Sequence, residues 1–150
     1  MGIKFNKKPI ITVVGVAWCV FQLYIGFFGV LSPMQQRPVH LAFALILTYL
    51  TKPVSKKLDA DKLYIDQIIC IIFSVVFAAY MYQHAKALSM NIGVYTAFEV
   101  FLGAVILVLV IEGARRLTGI GLITIGIVFL IYAYVGPYMP GPIRHPGASL

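Results

Sequence analysis

Charge is the first thing this sequence lacks. Only 11% of its 150 residues are charged while 61% are hydrophobic, and its mean hydropathy is +0.93. A chain of that composition cannot cover itself with a water-compatible surface. An ordinary soluble domain is therefore excluded, and lipid becomes the main solvent. Cysteine is almost as scarce. Cys19 and Cys70 both fall within apolar runs, where a thiol acts as a small packing residue, and no CxxC or Cys/His spacing exists to hold a structural zinc. Catalytic patterns are missing too: there is no Ser/His/Asp or Cys/His nucleophile arrangement, no phosphate loop and no HExxH, so no enzyme class is indicated. Nor does any apolar run have the glycine- and serine-rich interrupted centre that exposes helix ends to an ion or substrate.

What is present is five apolar stretches, at about 10–31, 38–51, 63–82, 94–111 and 117–138. A hydrocarbon core of about 30 Å takes about 20 helical residues to cross. Four of the stretches reach or approach that length. The second, at 38–51, covers only about 21 Å at 1.5 Å per residue and must borrow its flanks, with Arg37 and Lys52 snorkelling to the two interfaces. The expected fold is all-α: residues 1–150 form a single integral membrane helical bundle with about five transmembrane helices.

A formal charge of +7 would point to nucleic acid in a soluble protein, but here its distribution reports topology. Lys4, Lys7, Lys8, Lys52, Lys56, Lys57, Lys62, Arg115 and Arg116 fall on one side, against Arg37, Lys86 and Arg144 on the other. That bias predicts an inside N-terminus and an outside C-terminus, with lipids rather than nucleic acid as the partner of the charge. Most tyrosines fall near the span boundaries, whereas Trp18 falls mid-span. The charged start followed by a long apolar run, without a small-residue cleavage motif, reads as a retained first helix.

Connections are short. Pro38 suits the first turn of the second helix, Asp59-Ala60-Asp61 suits the start of the third, Gln83 to Gly93 forms an outer loop, and Gly113 to Gly119 an inner turn. That turn implies an antiparallel helical hairpin or a single kinked helix. Gly26, Gly29, Gly119, Gly121 and Gly126 mark expected close helix approaches. After Gly136 the prolines end the helix.

Ionisable groups near the membrane are the functional candidates. Asp66 lies at the start of the third helix, and Glu99, a little over one turn inside the outer end of the fourth stretch, is the candidate intramembrane polar residue. Glu112 precedes Arg115 and Arg116 by three and four residues, the spacing of a local ion pair. Arg115, Arg116, Arg37 and Tyr138 are candidate contacts to lipid headgroups or a partner protein. His40, His84 and His145 all fall on the outer side without ligand spacing and read as interfacial polar residues. No catalytic, substrate-binding or metal-binding residue is assigned.

Several strings resemble a known family: Phe21-Gln22-Leu23-Tyr24, Gln36-Arg37-Pro38-Val39-His40-Leu41-Ala42-Phe43-Ala44, Glu112-Gly113-Ala114-Arg115-Arg116-Leu117-Thr118-Gly119, and above all Phe129-Leu130-Ile131-Tyr132-Ala133-Tyr134-Val135-Gly136-Pro137-Tyr138-Met139-Pro140-Gly141. They are similar to the small membrane component of tripartite ATP-independent periplasmic (TRAP) transporters of the TAXI type. In that family the small component often leads directly into the large one, near a stretch similar to His145-Pro146-Gly147-Ala148-Ser149-Leu150. Its small components usually have four membrane helices, which makes the fifth stretch here a linking helix.

The resemblance implies a non-catalytic small subunit of a sodium-coupled transporter of organic anions in a bacterial or archaeal cytoplasmic membrane. The partners it implies are the large elevator-type membrane subunit, a periplasmic TAXI-type substrate-binding protein and membrane lipids. Sodium would belong to the large subunit, leaving no cofactor on this chain. The alternative is a self-sufficient homo-oligomeric small transporter or channel with Glu99 facing a shared pore.

Overall fold

A computed structural model of the chain describes residues 2–4, 6–29, 31–55, 58–59, 62–91 and 93–144. Lys56, Lys57, Ala60, Asp61 and the stretch 145–150 with His145 lie outside these. The elements are β1 (Gly2–Lys4), α1 (Lys8–Phe28), α2 (Pro33–Thr51), β2 (Lys62–Tyr64), α3 (Ile65–Met90), α4 (Ala97–Thr118) and α5 (Ile120–Val135), with 3-10 turns over Gly136–Tyr138 and Gly141–Ile143. The fold is all-helical apart from a two-stranded antiparallel ribbon that pairs Gly2 with Tyr64 and Lys4 with Lys62. The ribbon was not foreseen from sequence. It fastens the N-terminus beside the start of α3.

Among the described residues four helices are long and apolar enough to cross a membrane: α1, α3, α4, and α5 continued through Tyr138. Together they make the chain a multi-pass membrane protein. Their outward faces support this, because Val13, Val16, Val20, Leu23 and Phe27 of α1 and Ile120, Ile125 and Phe129 of α5 are all exposed, more apolar surface than a soluble monomer leaves bare. α2 is not one of the four, since Gln35, Gln36, Arg37 and His40 make its first half polar.

α2 instead forms the middle of the bundle. Leu45 and Tyr49 on α2 and Ile106 and Leu109 on α4 form the buried core, flanked by Cys70, Ile71 and Phe77 of α3. α2 packs most extensively on α3 and also touches α1 and α4. No residue of α5 is buried, and its main contact is with α4.

Several boundaries differ from expectation, each for a local reason. α2 begins at Pro33, five residues early, with Ser32 as its cap and the Ser32 N–H donating to Gln35 Oε1 at 3.3 Å. Its 19 residues therefore span about 28 Å. Pro38 lies inside the helix and buried, where it deletes a backbone donor, rather than in the first turn. α3 continues to Met90 through most of the expected outer loop, because buried Ala85 and Leu88 give that polar stretch an apolar anchor on the bundle. α4 likewise runs through Glu112, Arg115 and Arg116 to Thr118.

The expected inner turn shrinks to Gly119, whose φ of 82° separates α4 from α5, so the two are not one continuous helix. The packing glycine is Gly113, in the body of α4: a Cβ there would lie 3.3 Å from Leu45 Cδ2 and 3.7 Å from Thr48 Cγ2. Gly26, Gly29, Gly119, Gly121 and Gly126 have nothing within 4 Å of that position and are not close approaches. Gly29, at φ 59°, instead closes α1 in the left-handed conformation. Cys70 is half-buried beside the core, whereas Cys19 is exposed on α1 and does not pack inside.

Candidate functional site

Among the described residues, three polar clusters interrupt the apolar bundle, one at each end and one at mid-depth. The largest lies where α2 and α4 end and α3 begins, the basic end. Helix ends leave carbonyls without intrahelical donors, and here Gln67, the third residue of α3, supplies them. Its fully buried amide donates through Nε2 to the carbonyls of Tyr49 at 2.5 Å and Lys52 at 3.2 Å. Its Oε1 accepts from the Tyr64 N–H at 3.1 Å and from Lys7 Nζ at 3.3 Å. One side chain thereby ties the N-terminal segment, the end of α2 and the start of α3.

Arg116 makes the second tie. It reaches Glu112 Oε1 at 2.8 Å, Asp66 Oδ2 at 2.9 Å and the Lys52 carbonyl at 3.4 Å. Its guanidinium lies 4.8 Å from the centroid of the Tyr49 ring, a cation–π arrangement, and the Tyr49 hydroxyl donates to the Leu109 carbonyl at 2.7 Å. Arg115 holds Glu112 in a two-pronged pair at 2.7 and 2.8 Å and donates to the Val54 carbonyl at 2.9 Å. Two carboxylates and two guanidiniums balance. Among the described residues no buried side-chain polar atom lacks a partner, so the buried part of the cluster is fully hydrogen-bonded.

This geometry alters the reading of the arginines. Arg116, proposed above as a headgroup or partner contact, is turned into the bundle with 2% of its side chain exposed. It is a helix tie rather than a surface contact. Arg115 is partly exposed, Arg37 is exposed, and Tyr138 is 84% exposed on the far side.

At mid-depth, Trp18 Nε1 donates to His40 Nδ1 at 3.3 Å, and Gln22 Nε2 bonds to the same nitrogen. Because an indole N–H can only donate, Nδ1 of a neutral His40 is the acceptor and its proton sits on Nε2. The Trp18 and His40 rings meet edge-on at 5.0 Å. His40 is the polar partner of Trp18, which gives the mid-span indole N–H an acceptor within the bundle. Sequence reading missed this pair. The signal was an indole donor placed near the middle of α1, with no interface to serve.

At the far end Glu99 is the third residue of α4, which begins at Ala97, so it belongs to the helix start rather than to the membrane interior. It forms a capping box with Thr96: the Glu99 N–H donates to Thr96 Oγ1 at 3.3 Å, while the Thr96 N–H and hydroxyl donate to Glu99 Oε2 at 2.6 and 2.9 Å. Tyr80 of α3 donates its hydroxyl to Oε1 at 3.3 Å. His84 stacks on Tyr80 with ring centroids 4.2 Å apart, and its Nδ1 donates to the Tyr80 carbonyl at 3.0 Å.

The structure brings together Arg115, Arg116, Glu112 and Asp66, and leaves Arg37, Glu99 and Tyr138 apart from them. Tyr49, Gln67 and Lys7 complete the basic cluster and were not singled out from sequence. Among the described residues no group of three or more His, Cys, Asp or Glu side chains is placed to hold a metal ion. The chain matches no family model, no curated protein and no solved structure.

Proposed function

We propose that this chain is a non-catalytic small membrane subunit of a sodium-coupled TRAP transporter for organic anions. In this reading it enlarges the stationary scaffold beside a large elevator-type subunit and works with a periplasmic TAXI-type binding protein. The N-terminus and the basic end face the cytoplasm, as the lysine and arginine bias argues. The family strings carry the reading, above all the tyrosine-bearing end of α5 running into Gly-Pro-Tyr-x-Pro-Gly at 136–141.

One structural observation supports it. Among the described residues every charged side chain within a helix lies within two turns of a helix end, and the acid-base cluster at the basic end is closed on itself. Such an arrangement favours fixed depth and rigidity over passage of an ion. α1 and α5 present apolar faces suited to a neighbouring protein or to lipid. Glu99, on which the channel alternative relied, caps the start of α4.

The test is co-expression with a TRAP large subunit from the same genome. The expected result is a one-to-one complex that survives size-exclusion chromatography in mild detergent. Separate elution of the two chains, each stable alone, would count against the subunit reading.

A further inference from the structure

The far ends of α3 and α4 enclose an open groove of about 340 Å³. Its walls are apolar, with Phe77, Leu102 and Ile106 along its length, and its mouth holds Tyr80 and Glu99. Gly103 keeps it open, since nothing lies within 4 Å of where its Cβ would be. Glu99 and Ile106 are seven residues apart on one helical stripe, so the groove runs about 10 Å inward from the helix start. A carboxylate at the start of a membrane-spanning helix, above an apolar groove, has the layout of a lipid site.

The charge at the mouth narrows the ligand. Of the acids among the described residues, Asp59 pairs with Lys62, Asp66 with Arg116, and Glu112 with both arginines. Among the described residues Glu99 forms no salt bridge, and the basic side chain beside it is His84, stacked on Tyr80 and bonded through Nδ1 to the Tyr80 carbonyl. A carboxylate offers about four acceptor positions; Thr96 takes two on Oε2 and Tyr80 takes one on Oε1. The position left is on Oε1, the oxygen that Tyr80 reaches from the groove wall. It calls for a cationic N–H donor, which a primary ammonium has and a trimethylammonium lacks.

We propose that the α3–α4 groove binds one phospholipid with a primary-amine headgroup, of the phosphatidylethanolamine class. The ammonium donates to Glu99 Oε1 and an acyl chain lies along Phe77, Leu102 and Ile106. This site stands independently of the transporter reading.

Native mass spectrometry of the full chain, offered equal amounts of phosphatidylethanolamine and phosphatidylcholine with identical acyl chains, tests it. The wild type is expected to retain the ethanolamine lipid about tenfold more, on the order of one hydrogen bond to a charged group. Glu99→Gln keeps the cap, because glutamine serves at that position of a capping box, and should bring the ratio close to one. Gly103→Leu, built into open space, should lower retention of both lipids. Equal retention of the two lipids by the wild type, a preference that survives Glu99→Gln, or unchanged lipid retention in Gly103→Leu would each overturn the proposal.

Discussion

Arg115 and Arg116 are neighbours in sequence, yet their side chains are 39% and 2% exposed. The buried one bridges α4 to α3 through Asp66 and covers the Tyr49 ring, while the other mostly repeats the local pair with Glu112. Arg116→Ala takes the guanidinium from Asp66, leaves Glu112 with Arg115 alone and uncovers the Tyr49 ring, and should lower unfolding stability in detergent by about 2 kcal/mol. Arg115→Ala should cost less than about 1 kcal/mol, because its pair is half in water. Equal losses in thermal unfolding would contradict this assignment.

Gly113 gives a second residue-scale contrast. Leucine there must displace Leu45 and Thr48 and should cost about 1–3 kcal/mol. Gly126→Ala, on open α5 surface, should be neutral or stabilising within about 1 kcal/mol. The local ion pairs could be read from the spacing of Glu112, Arg115 and Arg116. The Asp66–Arg116 and Tyr49–Gln67 bonds could not, because partners 50 and 18 residues apart depend on how the helices pack.

The helices themselves were legible where apolar length set them, and less so where polar residues continue a helix beyond the lipid. Hydropathy stops at about Tyr82 and Ile111, but backbone hydrogen bonding continues as long as one face keeps packing, which carries α3 to Met90 and α4 to Thr118. α2 shows the converse. Its polar first half weakens the hydropathy signal, yet Trp18 and Gln22 meet His40 there, so it is a helix 19 residues long at the centre of the bundle. The short ribbon of β1 and β2 had no sequence signal, because three-residue strands lack a measurable alternation.

Two predictions belong to this scale. Thr96→Ala removes the oxygen that accepts the Glu99 N–H and should cost about 1 kcal/mol of stability, seen as increased hydrogen exchange in the first turn of α4. Truncation after Thr118 removes a helix without a buried residue and should leave the unfolding temperature of α1–α4 unchanged within error. A large drop would mean that α5 stabilises the bundle.

Across the described residues, polar chemistry is concentrated at the two ends and in one mid-depth group, and apolar side chains are exposed along α1 and α5 and on the outer faces of α3 and α4. That division suits a rigid membrane piece completed by a neighbour. The most direct measurement is sodium-gradient-driven uptake of organic anions in proteoliposomes, made with this chain alone, with the large subunit and binding protein alone, and with all three. Uptake is predicted only when all three are present. Uptake by this chain alone, or full uptake in its absence, would contradict the subunit account.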